Sequence, residues 1–345
     1  MKALVKFDNK DGAVKLMDMN IPKISSEEVL VEIKYAGICG SDPHIYHQNI
    51  SYNIKVPIIL GHEYSGKIIE VGKKISKWKV GDRVTSETHA DYCNECTLCR
   101  MGYYHLCKHR KGYGFHVDGV FTKYVKVNQR ILHSLPENVS YKEGAAVEPL
   151  CVVYNAIVNN ANFMPGYSVM VIGPGAIGVL AAMLLDIMGA GKIAIIGTKL
   201  DKYRLEKVKA IGPFDIILND DINSIKRLKN NINDGYGFDL VIDSAGSSET
   251  LKLSMDIVRP YGEILKIGWG PKPINYSIDE IIGKSVRLQG SFSHFWPVWE
   301  KCLDLCKNKL IDLGKIITHE ISLDDWKQGF GLVENLKGLK VVFKI

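Results

Sequence analysis

The sequence contains no apolar run long enough to cross a membrane. It offers no stretch of about 18 consecutive uncharged apolar residues, roughly the minimum for a spanning helix. The first residues, MKALVKFDNKDG, reach Asp8 without the apolar core of a secretory signal. Cys39, Cys151, Cys302 and Cys306 are scattered, as in a chain from a reducing compartment. We therefore expect no membrane association and a cytoplasmic location.

Basic blocks and repeats are also missing. Lysine and arginine number 44 against 38 aspartates and glutamates, which gives a net charge of +6. These cations are spread along the chain without interleaved aromatic residues, so nucleic-acid binding is not expected. A mild positive field would instead favour an anionic cofactor.

The length and composition predict a soluble globular protein of two domains. The chain has 345 residues, with 46% hydrophobic and 24% charged residues. Alternating residues and frequent glycines in the first 150 residues indicate a β-rich, looped domain. Short strands are predicted there at 3–7, 29–35, 65–71, 83–85 and 121–127.

The pattern changes near residue 150. Strand-like runs at 168–172, 193–196, 214–218, 239–243 and 263–268 alternate with helical segments. The helical segments are predicted at 176–188 and 201–210, from about 219 to 233, and from 247 or 248 onward. This alternation predicts an α/β fold with a doubly wound parallel sheet. We expect a dinucleotide-binding domain at 151–286, and a first domain built from 1–150 and 287–345.

A glycine-rich loop lies at the start of this second domain. It has the pattern G-x-G-x-x-G, follows a predicted strand and opens an apolar helix. In this context glycines allow the tight turn, the approach of the pyrophosphate and close packing of helix on strand. The predicted cofactor-binding residues of the loop are Gly173, Gly175, Ala176, Ile177 and Gly178. The alternative is a plain glycine turn.

The end of the second strand of this domain distinguishes NAD from NADP. An acidic residue there would bind the ribose 2′-hydroxyl of NAD, but the sequence continues Gly197-Thr198-Lys199. Thr198, Lys199 and Arg204 are compatible with a 2′-phosphate, whereas Asp201 is better explained as a helix cap. We therefore favour NADP over NAD.

Four cysteines occur within 15 residues, spaced C-x2-C-x2-C-x7-C. They are Cys93, Cys96, Cys99 and Cys107. Thiolates at this spacing can surround one tetrahedral zinc ion, and clustered cysteines in a long intracellular chain indicate metal more often than disulfides. The alternative is a set of buried or disulfide-bonded cysteines.

Further residues with metal-ligand chemistry are distributed over the first domain. Cys39 lies in G-I-C-G-S-D-P-H, His62 and Glu63 in G-H-E, and Glu148 in E-P-L. Cysteine, histidine and glutamate are all zinc ligands. Each fragment alone also has a structural explanation, as a buried thiol, a surface pair or a helix start.

Taken in order along essentially the whole chain, these motifs resemble the zinc-dependent medium-chain dehydrogenase/reductase family of alcohol and polyol dehydrogenases. The resemblance implies a GroES-like catalytic domain joined to a Rossmann domain. It implies a catalytic zinc bound by Cys39 and His62, with Glu63 and Glu148 as acidic ligands or exchanging with water. A second, structural zinc is implied for the four cysteines. Glutamate rather than cysteine at position 148 is similar to sorbitol, threonine and butanediol dehydrogenases.

The resemblance also implies a reaction. A secondary alcohol, most favourably a polyol or sugar, gives hydride to NAD(P), and the proton leaves through Ser41 and His44. The alternatives for these two are a turn serine and a surface histidine. Asp42 is expected to hold the loop of Cys39 rather than bind metal.

The substrate is less well specified by the sequence. Tyr46 matches a position that faces substrate in polyol dehydrogenases, and Phe295 is a second candidate, with Trp296 and Trp299 nearby. Packing in the core or at an interface is the alternative for these aromatic residues. His89 is similar in place to a histidine of threonine dehydrogenases, but its spacing from Cys93 differs.

Other functions and the assembly follow from the same resemblance. The alternative activities are those of an L-threonine 3-dehydrogenase or a simple secondary-alcohol dehydrogenase. A non-catalytic zinc-binding member of the family is a further alternative. A homotetramer or homodimer is expected, with the apolar segment 261–270 extending a sheet across a two-fold axis.

Overall fold

A computed structural model describes residues 1–50, 54–270 and 272–345. The chain forms two compact units. Unit 1 comprises Met1–Glu148 and His294–Ile345, and unit 2 comprises Pro149–Ser293. The return to the first domain expected at residue 287 therefore falls inside unit 2. The reason is that Arg287–Gly290 forms a strand of the parallel sheet of that unit.

The first segment of unit 1 is built from short strands. They are β1 (Lys2–Lys6), β2 (Val14–Asp18), β3 (Glu28–Gly37), β4 (Ile58–Ile59), β5 (Glu63–Val71), β6 (Arg83–Ser86), β7 (His89–Asp91), β8 (Lys111–Gly112), β9 (Tyr124–Asn128) and β10 (Leu132–Ser134). Helices here are short: α1 (Ser41–Tyr46), α2 (Thr97–Arg100) and α3 (Tyr141–Gly144). The longest strands, β3 and β5, pair antiparallel through their full length. Helix α4 (Val147–Tyr154) contains the point where the chain leaves unit 1.

Unit 2 is a parallel sheet with intervening helices. Its strands are β11 (Ser168–Ile172), β12 (Lys192–Gly197), β13 (Asp215–Leu218), β14 (Phe238–Asp243), β15 (Val258–Lys266) and β16 (Arg287–Gly290). Its helices are α5 (Ala176–Ile187), α6 (Lys202–Val208), α7 (Ile222–Asn230), α8 (Ser248–Ile257) and α9 (Glu280–Gly283). The spatial order is β13-β12-β11-β14-β15-β16, with every described pair parallel. This is the doubly wound order of a dinucleotide-binding fold.

The chain then returns to unit 1 through α10 (Trp296–Lys307), β17 (Ile317–Ser322), α11 (Trp326–Glu334) and β18 (Lys340–Lys344). β18 pairs antiparallel with β3, and β17 pairs with β18. The resulting sheet has the order β10-β6-β5-β3-β18-β17, with β9 also on β3. Its core is aliphatic and aromatic, with Phe121, Phe330 and Phe343 almost fully buried.

The predicted fold class is confirmed: a β-rich GroES-like unit accompanies a Rossmann sheet. The strand predicted at 168–172 coincides with β11. All five residues of β11 are buried, which explains why its sequence is largely apolar and easy to recognise as a buried strand. The short strands β2, β4, β7, β8 and β10 and the whole C-terminal return were not predicted in detail. Within the described residues, no helix combines the length and the apolar character needed to cross a membrane.

Candidate active site

Neighbouring ends of two paired strands bring together the first candidate metal centre. β3 ends at Gly37, which is the register partner of Glu63 at the start of β5. Cys39 follows β3 by two residues, and His62 precedes β5 by one. As a result, ligand atoms of Cys39, His62 and Glu63 lie within 4.8 Å of one another. The strand register thus unites residues that are separated in sequence.

Two glycines make room for this cluster. A Cβ atom added at Gly37 would collide with the carboxylate of Glu63. Gly61 has a φ of +86°, and a Cβ atom there would collide with the ring of Phe121. Because glycine has no Cβ and tolerates positive φ, these positions allow the loop of His62 and the β3 end to approach closely.

The residues of the cluster have the properties of a cation site. Nδ1 of the buried His62 has no hydrogen-bond partner among the described residues. Burial opposes charging of this ring, but nearby Cys39, Asp42 and Glu148 outweigh burial and raise the pKa of His62 to about 10. A thiol, an imidazole nitrogen without a partner and a carboxylate form a donor set that fits catalytic zinc. The cluster therefore suits a divalent cation.

Asp42 supports the loop that carries Cys39. Its Oδ2 accepts a hydrogen bond from the backbone N–H of Cys39 at 2.8 Å, and the residue is fully buried. Burial raises the pKa of Asp42 to about 6. The predicted supporting role of Asp42 fits this contact, since second-shell bonds of this kind fix ligand orientation.

A buried lysine holds one of the carboxylates. Lys340 on β18 is 3% exposed, forms an ion pair with Oε2 of Glu63 and donates to the carbonyl of Ile38 at 2.9 Å. Burial raises the pKa of Glu63, and the charge of Lys340 opposes this shift. Lys340 was not among the predicted site residues. It lies in a β-strand near the C-terminus, and its contact with Ile38 spans 302 residues.

We expect Lys340→Met to destabilise unit 1 strongly. Removing one partner of a buried ion pair leaves an uncompensated charge and typically costs about 3–5 kcal/mol. Urea denaturation of the metal-depleted protein measures this loss. Lys344→Met on the same strand is the matched control, because Lys344 is exposed and its loss should be within about 0.5 kcal/mol of zero. Equal effects of the two substitutions would contradict the prediction.

Glu148 stands beside the cluster rather than within it. The set of mutually close ligand atoms contains Cys39, His62 and Glu63 but not Glu148. Its Oε1 is hydrogen-bonded instead to Nε2 of His294, at 3.0 Å. Burial raises the pKa of Glu148, whereas His62 and then Lys340 lower it. The expectation that Glu148 contributes an acidic group at this site fits its place, but in this structure one of its oxygens is directed to a histidine.

A second buried group, Glu87, His89 and His294, also has metal-ligand residue types. The atoms of this group that could bind a metal are already hydrogen-bonded within the protein. The hydroxyl of Tyr104 lies 2.7 and 2.8 Å from the two oxygens of Glu87. His89 accepts from Arg110 through Nδ1 at 3.1 Å and donates through Nε2 to the carbonyl of His294 at 2.9 Å.

Both histidines of this group are neutral and fully engaged. Burial lowers the pKa of His89 and of His294 well below the usual value. His294 uses Nε2 toward Glu148 and Nδ1 toward Trp299, at 2.8 Å. No ring nitrogen of the two keeps a lone pair for a metal, so we assign the group a structural role.

The four-cysteine lobe brings the Sγ atoms of Cys93, Cys96, Cys99 and Cys107 within 4.8 Å of one another. Sγ of Cys93 lies 3.8 Å from that of Cys99 and 3.5 Å from that of Cys107. Four ligands at about 2.3 Å from a tetrahedral zinc lie about 3.8 Å apart. All eight cysteines of the chain, each within the described residues, are free. The disulfide alternative is therefore wrong for this lobe.

Backbone groups favour the thiolate of Cys93, whereas burial and the neighbouring thiols raise the pKa of Cys99 to about 12. Hydrogen bonds from the N–H groups of Cys96 and Glu95 lower the pKa of Cys93 to about 6. A further backbone N–H, that of His109, donates to Sγ of Cys107 at 3.4 Å. Because the thiolate is the metal-binding form, these bonds prepare the lobe for a cation.

The dinucleotide loop has the conformation that its glycines predict. Gly173 follows β11 with a φ of +104°, and Gly175 is the N-cap of α5. A Cβ atom at Gly178 would collide with the carbonyl of Gly173. Nothing lies within 4 Å of a Cβ atom built at Gly175, which leaves the helix N-terminus open to a phosphate. The loop also contains Ala176 and Ile177, the first residues of α5.

Gly197, the last residue of β12, has no room for a side chain. A Cβ atom at Gly197 would lie 2.9 Å from Cγ of Pro174. The carboxylate of Asp201 accepts from the N–H and the hydroxyl of Thr198, at 3.0 and 2.8 Å. Asp201 therefore closes a capping box with Thr198, which is the N-cap of the short turn Lys199–Asp201. Asp201 is also at the N-cap position of α6, but its side chain makes no capping bond there, so the predicted side-chain cap is wrong. Lys199 is exposed, with its Nζ 2.6 Å from Asp220.

The remaining predicted residues lie in unit 1, except Arg204. The mostly buried Arg204 faces Asp201 at 3.6 Å. Ser41 and His44 lie on α1, where Oγ of Ser41 is buried without a partner among the described residues and His44 is exposed. Tyr46 packs edge-on against the rings of Trp326 and Phe330. Phe295 stacks on His105 with ring centroids 5.1 Å apart.

His294 had no role in the sequence analysis, and Trp299 was considered there only as a pocket or packing residue. His294 lies next to the candidate pocket aromatics in S-F-S-H-F-W, but no local pattern connects it to Glu148, 146 residues earlier. Trp299, treated as a pocket or packing residue, is 1% exposed and bonded to His294. Ser291 and Ser293 precede His294 in the same segment, so its polarity did not distinguish it from its neighbours.

The fold and the two cysteine-containing sites define a zinc-type dehydrogenase. Family models for the alcohol dehydrogenase GroES-like domain and the zinc-binding dehydrogenase match residues 25–137 and 176–308. The chain belongs to the family of zinc-dependent alcohol and polyol dehydrogenases, enzymes that act on CH–OH groups.

Characterised relatives match over their full length. A sorbitol dehydrogenase of Halalkalibacterium halodurans is 36% identical, over 99% of this chain and 98% of that protein. A D-arabitol-phosphate dehydrogenase of Enterococcus avium is 32% identical, over 100% and 97%. An L-threonine 3-dehydrogenase of Chelativorans sp. is 30% identical, over 99% and 98%. The 2R,3R-butanediol dehydrogenase structure from Bacillus subtilis has a TM-score of 0.89 at 26% identity, covering 100% and 99%.

Proposed function

We propose that this enzyme oxidises a polyol or sugar alcohol at a secondary hydroxyl, with NADP as the favoured hydride acceptor. The observation that carries the proposal is the cluster of Cys39, His62 and Glu63 with Glu148 beside it. Two carboxylates rather than a second thiol accompany the cysteine and the histidine. The similarity to sorbitol and arabitol-phosphate dehydrogenases supports the same substrate class.

Cys39, His62 and Glu63 would hold the catalytic zinc, and Cys93, Cys96, Cys99 and Cys107 the structural one. Zinc bound at the first site supplies a Lewis acid that polarises the substrate oxygen and lowers the pKa of the alcohol. Asp42 fixes the Cys39 loop through the backbone N–H of Cys39. Lys340 neutralises part of the charge of Glu63. The contacts of Asp42 and Lys340 fix the position of Cys39 and the charge of Glu63, and so determine which ligands the site can bind.

Ser41 and His44 are proposed to carry the alcohol proton to solvent. The hydroxyl of Ser41 is buried and without a partner among the described residues, so it is available to accept a hydrogen bond from the substrate hydroxyl. As it takes the substrate proton, Ser41 would release its own proton through the ribose hydroxyls of the cofactor toward His44. His44 lies three residues later on α1 and is exposed, and an imidazole ring can both accept and donate a proton. Ser41 would thus serve the inner end of the path and His44 the outer end.

The substrate is proposed to be a polyol rather than threonine. His89, which is similar in place to a histidine of threonine dehydrogenases but differs in its spacing from Cys93, is fully buried and uses both ring nitrogens within the protein. Tyr46 and Phe295 remain the proposed substrate-facing aromatics, although each also packs against other rings. Threonine oxidation is supported by the relative of that activity and is the second candidate.

One experiment tests these proposals together. The purified enzyme is assayed at 340 nm with sorbitol, arabitol, galactitol, their phosphates, 2,3-butanediol and L-threonine, each with NAD and with NADP. Metal analysis of the same preparation should give two zinc ions per chain. Turnover of a polyol above the other classes supports the proposal. Turnover of threonine alone, or a zinc content of one with no dehydrogenase activity, overturns it.

The preference for NADP rests on the end of β12. Gly197 is packed against Pro174, which leaves no room for an acidic side chain, and Lys199 lies two residues later with 78% of its side chain exposed. A lysine here can pair with a 2′-phosphate. Lys199→Glu replaces attraction to the 2′-phosphate with repulsion, so it should raise KM for NADP about tenfold and leave KM for NAD nearly unchanged.

Steady-state kinetics with both cofactors measures this change. Lys252→Glu on α8 is the control for altered charge on unit 2, because Lys252 is also exposed. A wild-type enzyme that uses NAD better than NADP, or a Lys199 variant equal to the control, would contradict the cofactor proposal.

We also propose a homotetramer or homodimer located in the cytoplasm. Strand β16 is the edge of the parallel sheet, and several apolar residues near it are strongly exposed: Tyr261 at 82%, Trp269 at 63% and Ile282 at 80%. An edge strand with exposed apolar neighbours favours association with a second copy. Light scattering that gives the mass of a monomer, 38.5 kDa, would overturn the assembly proposal. The eight free cysteines support a reducing compartment.

A further inference from the structure

Two carboxylates at the candidate metal site are held by different partners. Glu63 is paired with a buried cation, Lys340. Glu148 receives instead a hydrogen bond from a neutral ring, that of His294, at 3.0 Å. His294 is fully buried, and Glu148 is 8% exposed. The two carboxylates therefore differ in the charge of the group that orients them.

The proton on the His294 ring has a defined position. The indole N–H of Trp299 donates to Nδ1 of His294 at 2.8 Å, and an indole is a donor only. Nδ1 must therefore be the acceptor nitrogen, which leaves the single proton of the neutral ring on Nε2. Nε2 faces Oε1 of Glu148. Trp299 thus fixes the tautomer in which His294 donates to the carboxylate.

The backbone of His294 is anchored as well. Its carbonyl accepts a hydrogen bond from Nε2 of His89 at 2.9 Å. Nδ1 of His89 in turn accepts a hydrogen bond from the guanidinium group of Arg110 at 3.1 Å. The ring of Trp299 stacks on that of His133 with centroids 5.2 Å apart and planes 8° apart. His294, His89 and Trp299 are therefore each held in orientation by a neighbouring side chain. Residues that support metal ligands in other proteins are held in the same way.

We propose that His294, with its tautomer set by Trp299, is a positioning residue that directs the carboxylate of Glu148 at the catalytic metal site. This inference rests on the proposed zinc function of Cys39, His62 and Glu63. His294 itself binds no metal, because neither ring nitrogen has a free lone pair. Its role is to keep the second carboxylate turned in one direction beside a site whose first carboxylate is held by Lys340.

The readout is metal affinity and the spectrum of the cobalt-substituted enzyme. His294→Phe removes the donor and should weaken metal binding at the catalytic site about 10- to 100-fold, the usual effect of losing a supporting hydrogen bond. The cobalt absorption bands should shift in the same variant. His294→Gln keeps an N–H donor at nearly the same distance and should recover most of the affinity.

Trp299→Phe tests the tautomer while preserving an aromatic ring. Without the indole N–H, His294 can place its proton on Nδ1 and turn a lone pair toward Glu148, so we expect affinity about 3- to 10-fold weaker than wild type. Trp78→Phe is the matched control. Trp78 is also buried in unit 1, but its indole N–H has no partner among the described residues.

The outcomes separate the two proposals. Wild-type protein that binds a single metal ion per chain overturns the proposed function itself. Wild-type protein with two ions, but with affinity and cobalt spectrum unchanged within twofold in Trp299→Phe and His294→Phe, overturns the positioning role. A His294→Gln variant as impaired as His294→Phe, at an equal melting temperature, also overturns it. If His294→Phe does not fold, Trp299→Phe compared with Trp78→Phe decides.

Discussion

Cys39→Ala should lower kcat/KM for the alcohol by about a thousandfold or more. Cys39 supplies the only thiol of the catalytic cluster formed with His62 and Glu63. Losing it leaves an incomplete donor set, and Lewis-acid stabilisation of the developing alkoxide is worth several kcal/mol. A loss of about 4 kcal/mol corresponds to about a thousandfold in rate. The variant should also retain one zinc ion per chain rather than two.

Metal analysis and kinetics on the same preparation measure both effects. Cys302→Ala is the matched control, because it removes a fully buried thiol of unit 1 that lies outside both metal centres. The control should keep two zinc ions and most of the activity. If the Cys39→Ala enzyme keeps wild-type turnover, Cys39 does not belong to the catalytic site. This conclusion holds whether or not the substitution changes the stability of the protein.

The sequence predicted unit 2 better than unit 1 for a physical reason. Strands of a parallel sheet are buried on both faces and read as continuous apolar runs, as in β11 and β12. Apolar α5 between them completes an unmistakable alternation. The strands of unit 1 are short and partly exposed, and its sheet joins β18 to β3 across almost the whole chain. Local periodicity carries no information about such a pairing.

The same distinction governs the site. The four cysteines of the lobe are close in sequence, so their spacing alone predicted a metal site. Cys39, His62 and Glu63 required the resemblance to a family, because the register of β3 and β5 unites them. Lys340 and His294 were not predicted at all. Their roles depend on contacts that span hundreds of residues, and a lysine in a strand has no local feature that indicates burial.

These supporting residues change how the catalytic cluster is understood. By residue type alone, the site contains a thiol, an imidazole and two glutamates that cannot be told apart. In the folded protein the glutamates are not equivalent, because Lys340 compensates the charge of Glu63 while neutral His294 only orients Glu148. A neutral donor leaves more negative charge on Glu148 than a cation would. The difference gives each carboxylate a separate role beside one cation.

Cys99→Ser should abolish metal binding in the four-cysteine lobe and release the lobe from the folded structure. Helix α2 within it has no buried residue, and the apolar side chains of Met101, Tyr103 and Leu106 are 61%, 42% and 46% exposed. The buried Tyr104 and His105 at the end of the lobe contact Glu87 and Phe295, but none of residues 93–103 is buried. Packing of this first part of the lobe therefore cannot offset the entropy of ordering it. Structural zinc contributes about 10–16 kcal/mol to the folding of small metal-binding peptides, so the ion must supply the stability that packing lacks.

The expected result is a fall from two zinc ions per chain to one, with proteolysis inside residues 93–107 about a hundredfold faster. That ratio corresponds to about 3 kcal/mol of lost protection against local opening. Metal analysis and mass spectrometry of the fragments measure it. Cys306→Ala, a buried thiol outside the lobe, should keep two ions and wild-type resistance. If Cys99→Ser keeps both, the lobe is held by its backbone hydrogen bonds, and the metal there is dispensable for its order.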